Sequence, residues 1–351
     1  MQTLIRNIAP VAFAAALVVV GVSQARAECD EVFTLKYHNA YPPTLALYNK
    51  VGAGFKERVE KWSDGCIKFE NYDSGALTSV AGMVDATDQG IIDISHSWGA
   101  FYVGDIPEGD IEIGLPLAWG ETYEAYDAYY NRGLKEVIAE AYESRFNVKH
   151  FPSIIGLEYV IATREEISGL EDLKGMKLRA LGVYGEMAQQ LGASAVVIPG
   201  GELYSALQLG TIDGLIYGAE AIVAQGLQEF LKTAIVEPNL NAGAGHWLFN
   251  RDTWESLPPN LQNVINMAVD YGNLAGAMDY RVVEAKNIGV LARDGVKPRL
   301  LLAGEFEQLD AVEAKNIGVL ARDGVKLLEL SGEEQARLNG IAVEMWNKIA
   351  E

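Results

Sequence analysis

Cysteine is almost absent from this chain: Cys29 and Cys66 are the only two in 351 residues, and histidine is nearly as scarce, with four. The histidines, His38, His96, His150 and His246, are scattered without metal-ligand spacing, and neither cysteine has a second soft ligand at metal distance, which disfavours a metal centre or a catalytic thiol. HExxH, GxSxG, Walker and CxxC motifs are all missing, so the sequence carries no catalytic signature. Gly243-Ala-Gly245 is too sparse for a dinucleotide loop and reads as a turn. Positive charge is short as well, with 28 Lys and Arg against 48 Asp and Glu and a net charge of −20. That balance repels nucleic acid and anionic membrane surfaces. An anionic ligand would therefore have to be met by local positive charge in a cleft. Past the first 27 residues no segment has the length and apolarity of a transmembrane helix.

The N-terminus itself is different. Arg6 is followed by an apolar run from Ala9 to Val22 and then by Ala25-Arg26-Ala27. A positive start, an apolar middle and small residues at −3 and −1 describe a secretory signal peptide cleaved after Ala27, and so a periplasmic protein. The alternative is a membrane anchor, but Asn7, Pro10, Ser23 and Gln24 shorten the apolar centre. Glu28 precedes Cys29, which argues against a lipid anchor on that cysteine. In an oxidising compartment the two cysteines are expected to pair as Cys29–Cys66. Cleavage leaves 324 residues, enough for about two domains, and removes two arginines, taking the net charge to −22.

Along the mature chain strands and helices alternate. Phe33–His38 has period two, Pro42-Pro43 opens a helix with Leu47, Val51, Phe55 and Val59 on one face, and Cys66–Glu70 is a strand. A short helix at Met83–Gln89 leads to a strand at Ile91–Ser95, and one helix is expected from Tyr123 to Phe146 before the strand Asn147–Phe151. The second half repeats the style, with strands at 157–163, 176–180, 195–198 and 212–216 and helices near 184–191 and 202–209. Such alternation predicts an α/β protein with parallel, right-handed crossover units whose ligand sits beyond the carboxyl ends of the strands, in the cleft between two domains. The last third is mostly helical, over Leu257–Ala292 and Gly332–Ala350. One feature stands apart: the fifteen residues 283–297, VEAKNIGVLARDGVK, recur at 312–326. Two copies make no solenoid. They read as a tandem duplication or a sequence-assembly error, of which one copy keeps the original packing site.

Among side chains that carry chemistry, Arg179 stands out. It lies in the apolar strand 176–181, where a buried arginine is costly unless paired. A carboxylate held by two parallel hydrogen bonds would pair it; so would a structural salt bridge. His96, Trp98 and Tyr102 follow the strand at 91–95 and are placed in the loop over the cleft.

The chain resembles the extracytoplasmic solute receptors of tripartite ATP-independent periplasmic (TRAP) transporters, dicarboxylate-receptor type. The resemblance spans nearly the whole mature chain and is carried by 170–179 (LEDLKGMKLR), 191–199 (LGASAVVIP) and 201–214 (GELYSALQLGTIDG), with support from 93–96, 114–116 and 250–258. It implies a two-domain periplasmic binding protein-like fold, class II-like, with a hinged cleft and a long connecting helix. Domain I would take 28–151 plus about 242–280, and domain II 152–241 plus about 281–351. It implies further that Arg179 grips the ligand carboxylate, that Tyr159 or its neighbour Glu158 is a second contact, and that Tyr217 is a third. With Tyr41, Trp98 and Tyr102 these aromatics suggest a larger or aromatic monocarboxylate, a 2-oxo or 2-hydroxy acid being the other candidates. Receptors that bind such acids through a metal usually carry Glu before the aromatic where this chain has Ile216-Tyr217, so a divalent or sodium ion is disfavoured. Glu158 and Glu220 are the candidate substitutes for that acid, and no organic cofactor is expected. The Asn usual near Tyr217 in sialic-acid and four-carbon dicarboxylate receptors is also missing. The implied partners are an organic acid and the small and large permease subunits. The implied activity is binding without catalysis. The alternatives are a periplasmic enzyme on a carboxylic acid, for which His96 with Glu158 is the one acid–base pair to name, and a sensor subunit that presents ligand to a receptor kinase.

Overall fold

A computed structural model describes residues 29–350 except 30, 120, 121, 158, 239, 241 and 276–324. The expected signal peptide, Glu158, the first repeat copy and all but the last two residues of the second therefore lie outside the described residues. Two mixed sheets, each faced by helices, form the molecule. The first has strand order β2-β1-β3-β10-β4 and the second β11-β9-β5-β8-β6-β7.

In the first lobe β1 (Phe33–Asn39), β2 (Ile67–Tyr72) and β3 (Ile94–Ser97) run parallel, linked by α1 (Ala46–Trp62) and α2 (Met83–Asp88). The apolar face of α1 buries Phe55 and Val59 against the sheet, where the Phe55 ring stacks 4.9 Å from Trp247. The strand β3 begins three residues later than the sequence predicts. Ile91 is 49 % exposed. Asp93 turns its carboxylate to the Lys36 N–H and the Thr253 hydroxyl, so the ladder starts only at Ile94. A four-residue helix α3 (Gly109–Glu112) follows. The single helix expected over 123–146 is two, α4 (Thr122–Asn131) and α5 (Leu134–Glu143), because Gly133 takes the left-handed conformation at φ 84° and breaks the ladder between them.

Among the described residues the chain passes between the sheets three times. The long strand β4 (Val148–Leu157) closes the first sheet and runs almost directly into β5 (Tyr159–Thr163) of the second. There β6 (Lys177–Arg179), α6 (Val183–Gln190), β7 (Ser194–Val196), α7 (Leu203–Gln208), β8 (Gly214–Gly218), α8 (Ala219–Ala224) and β9 (Thr233–Glu237) build the second lobe. The return strand β10 (Ala242–Asn250) inserts between β3 and β4, antiparallel to both, just as β5 lies antiparallel to β8 and β9. The sheets are thus mixed where alternation predicted parallel ones, since β5 and β10, the strands that follow the first two crossings, run against their neighbours. Gly243 and Gly245, expected in a turn, lie in β10.

After α9 (Arg251–Ser256), residues 259–275 are helical and are numbered α10; the rest of the expected long helix lies outside the described residues. β11 (Lys326–Glu329) joins the edge of the second sheet beside β9, and α11 (Gly332–Ala350) ends the chain. The last residues of the second repeat copy, buried Val325 and Lys326, enter that sheet.

Cys29 and Cys66 form a disulfide, tying residue 29 to the start of β2 across a separation of 37 residues. A loop of that size is worth about 2–4 kcal/mol. We expect reduction to lower the free energy of unfolding by that amount, and the urea midpoint with it, while ligand affinity, set in the cleft, is unchanged; urea and ligand titrations with and without reductant check the two.

Candidate functional site

The parallel strands of both lobes aim their carboxyl ends at one cavity of about 600 Å³ between the two sheets. From the first lobe Tyr41 follows β1 and Trp98 follows β3; from the second come Tyr159 at the start of β5, Arg179 at the end of β6 and Tyr217 in β8. Arg179 is 2 % exposed. Its Nε donates to the Ile198 carbonyl at 3.0 Å, and the guanidinium lies 4.7 Å from the centre of the Tyr217 ring. The register explains that pairing: Arg179 stands opposite Leu215 in the parallel neighbour β8, so Tyr217 lies two residues on, along the same face. A cation stacked on an aromatic plate keeps its fork fixed for a carboxylate.

The tyrosine hydroxyls are held neutral. Burial raises the Tyr159 hydroxyl above its ordinary value, with the Arg179 charge working against the rise, and burial raises Tyr217 and Tyr41 too. Tyr217 accepts from Gln225 Nε2 at 2.9 Å, and Tyr41 donates to the Ser97 carbonyl at 2.9 Å. Gly245 makes room for that arrangement: a Cβ there would fall 2.5 Å from the Ser97 oxygen, 2.8 Å from the Tyr41 hydroxyl and 3.0 Å from the Trp98 ring.

Two of the residues placed at the cleft by the sequence stand elsewhere. His96 lies inside β3, because the strand starts late, and is fully buried. Its Nε2 meets Ser153 Oγ at 3.0 Å and its ring stacks 4.9 Å from Trp247, so it belongs to the interior of the first lobe. Tyr102 points behind the wall, its hydroxyl 2.7 Å from Ser97 Oγ and 2.9 Å from the Val80 carbonyl, and Phe101 lines the cavity in its place. Glu220 sits half-buried in α8 and is not among the lining residues.

Sequence spacing gave no hint of one cluster. Glu112, His150 and His246 come together, fully buried, with one ligand atom of each within 4.8 Å of the others. His150 Nε2 is 2.8 Å from Glu112 Oε1, His246 Nδ1 is 3.0 Å from it, and the Tyr142 hydroxyl donates to Oε2 at 2.7 Å. A metal-bound histidine normally donates its other ring N–H to an acceptor. Here His150 Nδ1 and His246 Nε2 meet no hydrogen-bond partner among the described residues. The donor set therefore does not fit a metal. It fits a buried carboxylate held by three N–H and O–H donors, which anchors α3 to β4 and β10.

From α3 the chain also crosses to the second lobe. Asp110 accepts from the Val183 N–H, the first of α6, at 2.6 Å. Burial lifts its carboxyl to about 6, against that hydrogen bond, with the Glu186 charge adding to the rise. Gly182 has φ 51°, and a Cβ on it would stand 2.2 Å from Asp110 Oδ1. We expect Gly182→Ala to cost about 1–3 kcal/mol in chemical denaturation, from left-handed strain plus that clash.

The sequence model of the bacterial extracellular solute-binding protein family 7 (DctP) matches residues 38–297. The chain belongs to this family, that of the TRAP extracytoplasmic solute receptors. It is 28 % identical over 273 residues to the monocarboxylate 2-oxoacid-binding periplasmic protein of Nostoc sp., covering 74 % of this chain and 71 % of that one. Among solved structures, it superposes with TM-score 0.75 at 19 % identity on a TRAP transporter solute-binding protein of Bordetella bronchiseptica RB50 that holds calcium and picolinate, over 91 % of this chain and 87 % of that one. A TRAP solute-binding protein of Pseudoalteromonas atlantica T6c with bound sodium and pyruvate gives 0.73 at 21 % identity, over 91 % and 89 %. The two-lobed fold is the one those receptors share.

Proposed function

We propose that this chain is the periplasmic capture subunit of a TRAP transporter, freed of residues 1–27, and that it binds a small organic carboxylate and delivers it to the small and large permease subunits without chemical change. The observation that carries the reading is Arg179, a buried cation at the carboxyl end of β6, stacked on Tyr217 and facing an interlobe cavity. The family supports it, as do the acids bound by the relatives above. Tyr159 and Tyr217 are the neighbouring contacts, with Tyr41 and Trp98 opposite. Ligand bridging the lobes shifts the population toward the closed form, and that form is what the permease reads. The lobes divide as 28–151 with about 242–280, and 152–241 with about 281–351.

The carboxylate meets Arg179 without an ion in this reading. Calcium takes six to eight oxygens. Among the described lining residues the carboxylates are Asp73 and Glu202, both exposed, and Ile216 in β8 offers no oxygen from its side chain.

A thermal-shift screen of the protein from Glu28 onward tests the proposal, with 2-oxo acids, 2-hydroxy acids, aromatic acids, dicarboxylates and neutral sugars, each with calcium and with chelator. Ligand at about 100 times its dissociation constant adds roughly 2.7 kcal/mol, several degrees in a protein of this size. A rise with carboxylates, kept in chelator, is the expected result. A rise with sugars alone overturns the ligand class, and one lost in chelator restores the ion.

A further inference from the structure

We infer that the cleft selects a monoanion with an aromatic or similarly broad apolar body and rejects a second carboxylate at the far end of that body. This rests on the reading of the cleft as a carboxylate site anchored by Arg179.

Charge is distributed unequally through the cavity. Among the described lining residues Arg179 is the one cation, and it is buried; the charged groups besides it are Asp73 and Glu202, one from each lobe and both exposed. An anion drawn to Arg179 is therefore accommodated once. A second anionic group projecting toward the mouth meets two like charges and finds no cation there. The Asp73 backbone is fixed in place, since its carbonyl pairs with His38 Nε2 at 3.0 Å. The overall charge of −20 opposes a dianion further.

Aromatic side chains make up much of the remaining lining. Tyr41, Trp98 and Phe101 come from the first lobe, Tyr159 and Tyr217 from the second. Burial keeps the three tyrosine hydroxyls protonated, so none adds charge. A volume of about 600 Å³ equals that of roughly twenty waters. A three-carbon acid on Arg179 would leave most of this space to water against aromatic faces, whereas a ring would displace that water and stack.

Calorimetry on the mature chain with three probes decides the matter: acetate, phenylacetate, and 4-carboxyphenylacetate, which adds a second carboxylate at the far end of the same ring. Phenylacetate is expected to bind at least tenfold more tightly than acetate, and 4-carboxyphenylacetate about tenfold or more weaker than phenylacetate. In the double variant Asp73→Asn/Glu202→Gln the ratio between the two aromatic acids should shrink several-fold, and 0.5 M salt should shrink it in the wild type. Equal affinity for the two aromatic acids in the wild type, or an unchanged ratio in the double variant, overturns the inference. If acetate or other short acids bind and phenylacetate does not, the inference falls while the carboxylate reading stands. If no acid binds, the carboxylate reading falls and takes the inference with it.

Discussion

Glu112→Ala should destabilise the protein by about 3–5 kcal/mol at pH 7, enough to remove much of the stability of an ordinary domain. The carboxylate is fully buried and accepts from His150, His246 and Tyr142. Truncation leaves those donors facing an apolar void, and each unsatisfied buried donor costs about 1–3 kcal/mol. Glu112→Gln should fall between, since an amide fills the space but accepts through one oxygen only. The same residue sets part of the acid limit. Burial alone would raise the Glu112 carboxyl; the charge and hydrogen bonds of His246 and His150 outweigh burial and hold it at about 2 against an ordinary 4.5. A depressed acid gives stability that is complete above pH 4.5 and is lost as pH falls from there toward 2, here about 3 kcal/mol. Burial lowers His150 and His96 below their ordinary value, as it does His38. These rings take protons in the unfolded chain first, so stability begins to fall below about pH 6.5, ahead of the Glu112 step. Urea titrations from pH 7 to 3 should show both steps in the wild type and the upper step alone in Glu112→Ala. A loss under 1 kcal/mol at pH 7 would mean that the cluster does not hold the lobe together.

How much of this was legible beforehand depends on whether the signal was local. Arg179 declares itself because a cation inside an apolar strand needs a partner, and the family resemblance makes that partner a ligand carboxylate. Trp98 is marked by its position past a strand, Tyr159 and Tyr217 by the family resemblance and Tyr41 only as one of the aromatic set, and the fold brings all four to one cavity. The Glu112 cluster was illegible, since its members lie 38 and 134 residues from Glu112 along the chain and meet only when β4 and β10 pair. The mixed character of the sheets was hidden for the same reason: antiparallel β5 and β10 follow from the first two of the three lobe crossings, and no local pattern records a crossing. Where local reading failed, one residue was usually responsible. Gly133 breaks a helix whose apolar periodicity runs on without a gap, and the glycines of β10 make a central strand look like a turn. Asp93 delays β3 by diverting its carboxylate to Lys36 and Thr253, and that small shift carries His96 from the cleft into the core.

Arg179→Ala should leave a folded protein whose affinity for its carboxylate is reduced roughly 100- to 1,000-fold or more. Removing the partner of a buried charge costs about 3–5 kcal/mol, and each 1.4 kcal/mol is a factor of ten. The fold should survive because β6 is held by its ladders to β7 and β8, which the backbone supplies whatever side chain stands at 179. Arg179→Lys separates charge from shape. Lysine restores the positive charge but has neither the two-pronged donor geometry nor the flat face that lies over Tyr217. If the fork is what grips the ligand, lysine should recover only part of the loss, whereas a purely electrostatic attraction would let it recover nearly all. Calorimetry with the acid that gives the largest thermal shift measures all three proteins, and circular dichroism confirms their folding. Unchanged affinity in Arg179→Ala would mean that the arginine serves the second lobe alone, through the Ile198 carbonyl and the Tyr217 ring, and that the ligand is held from the opposite wall.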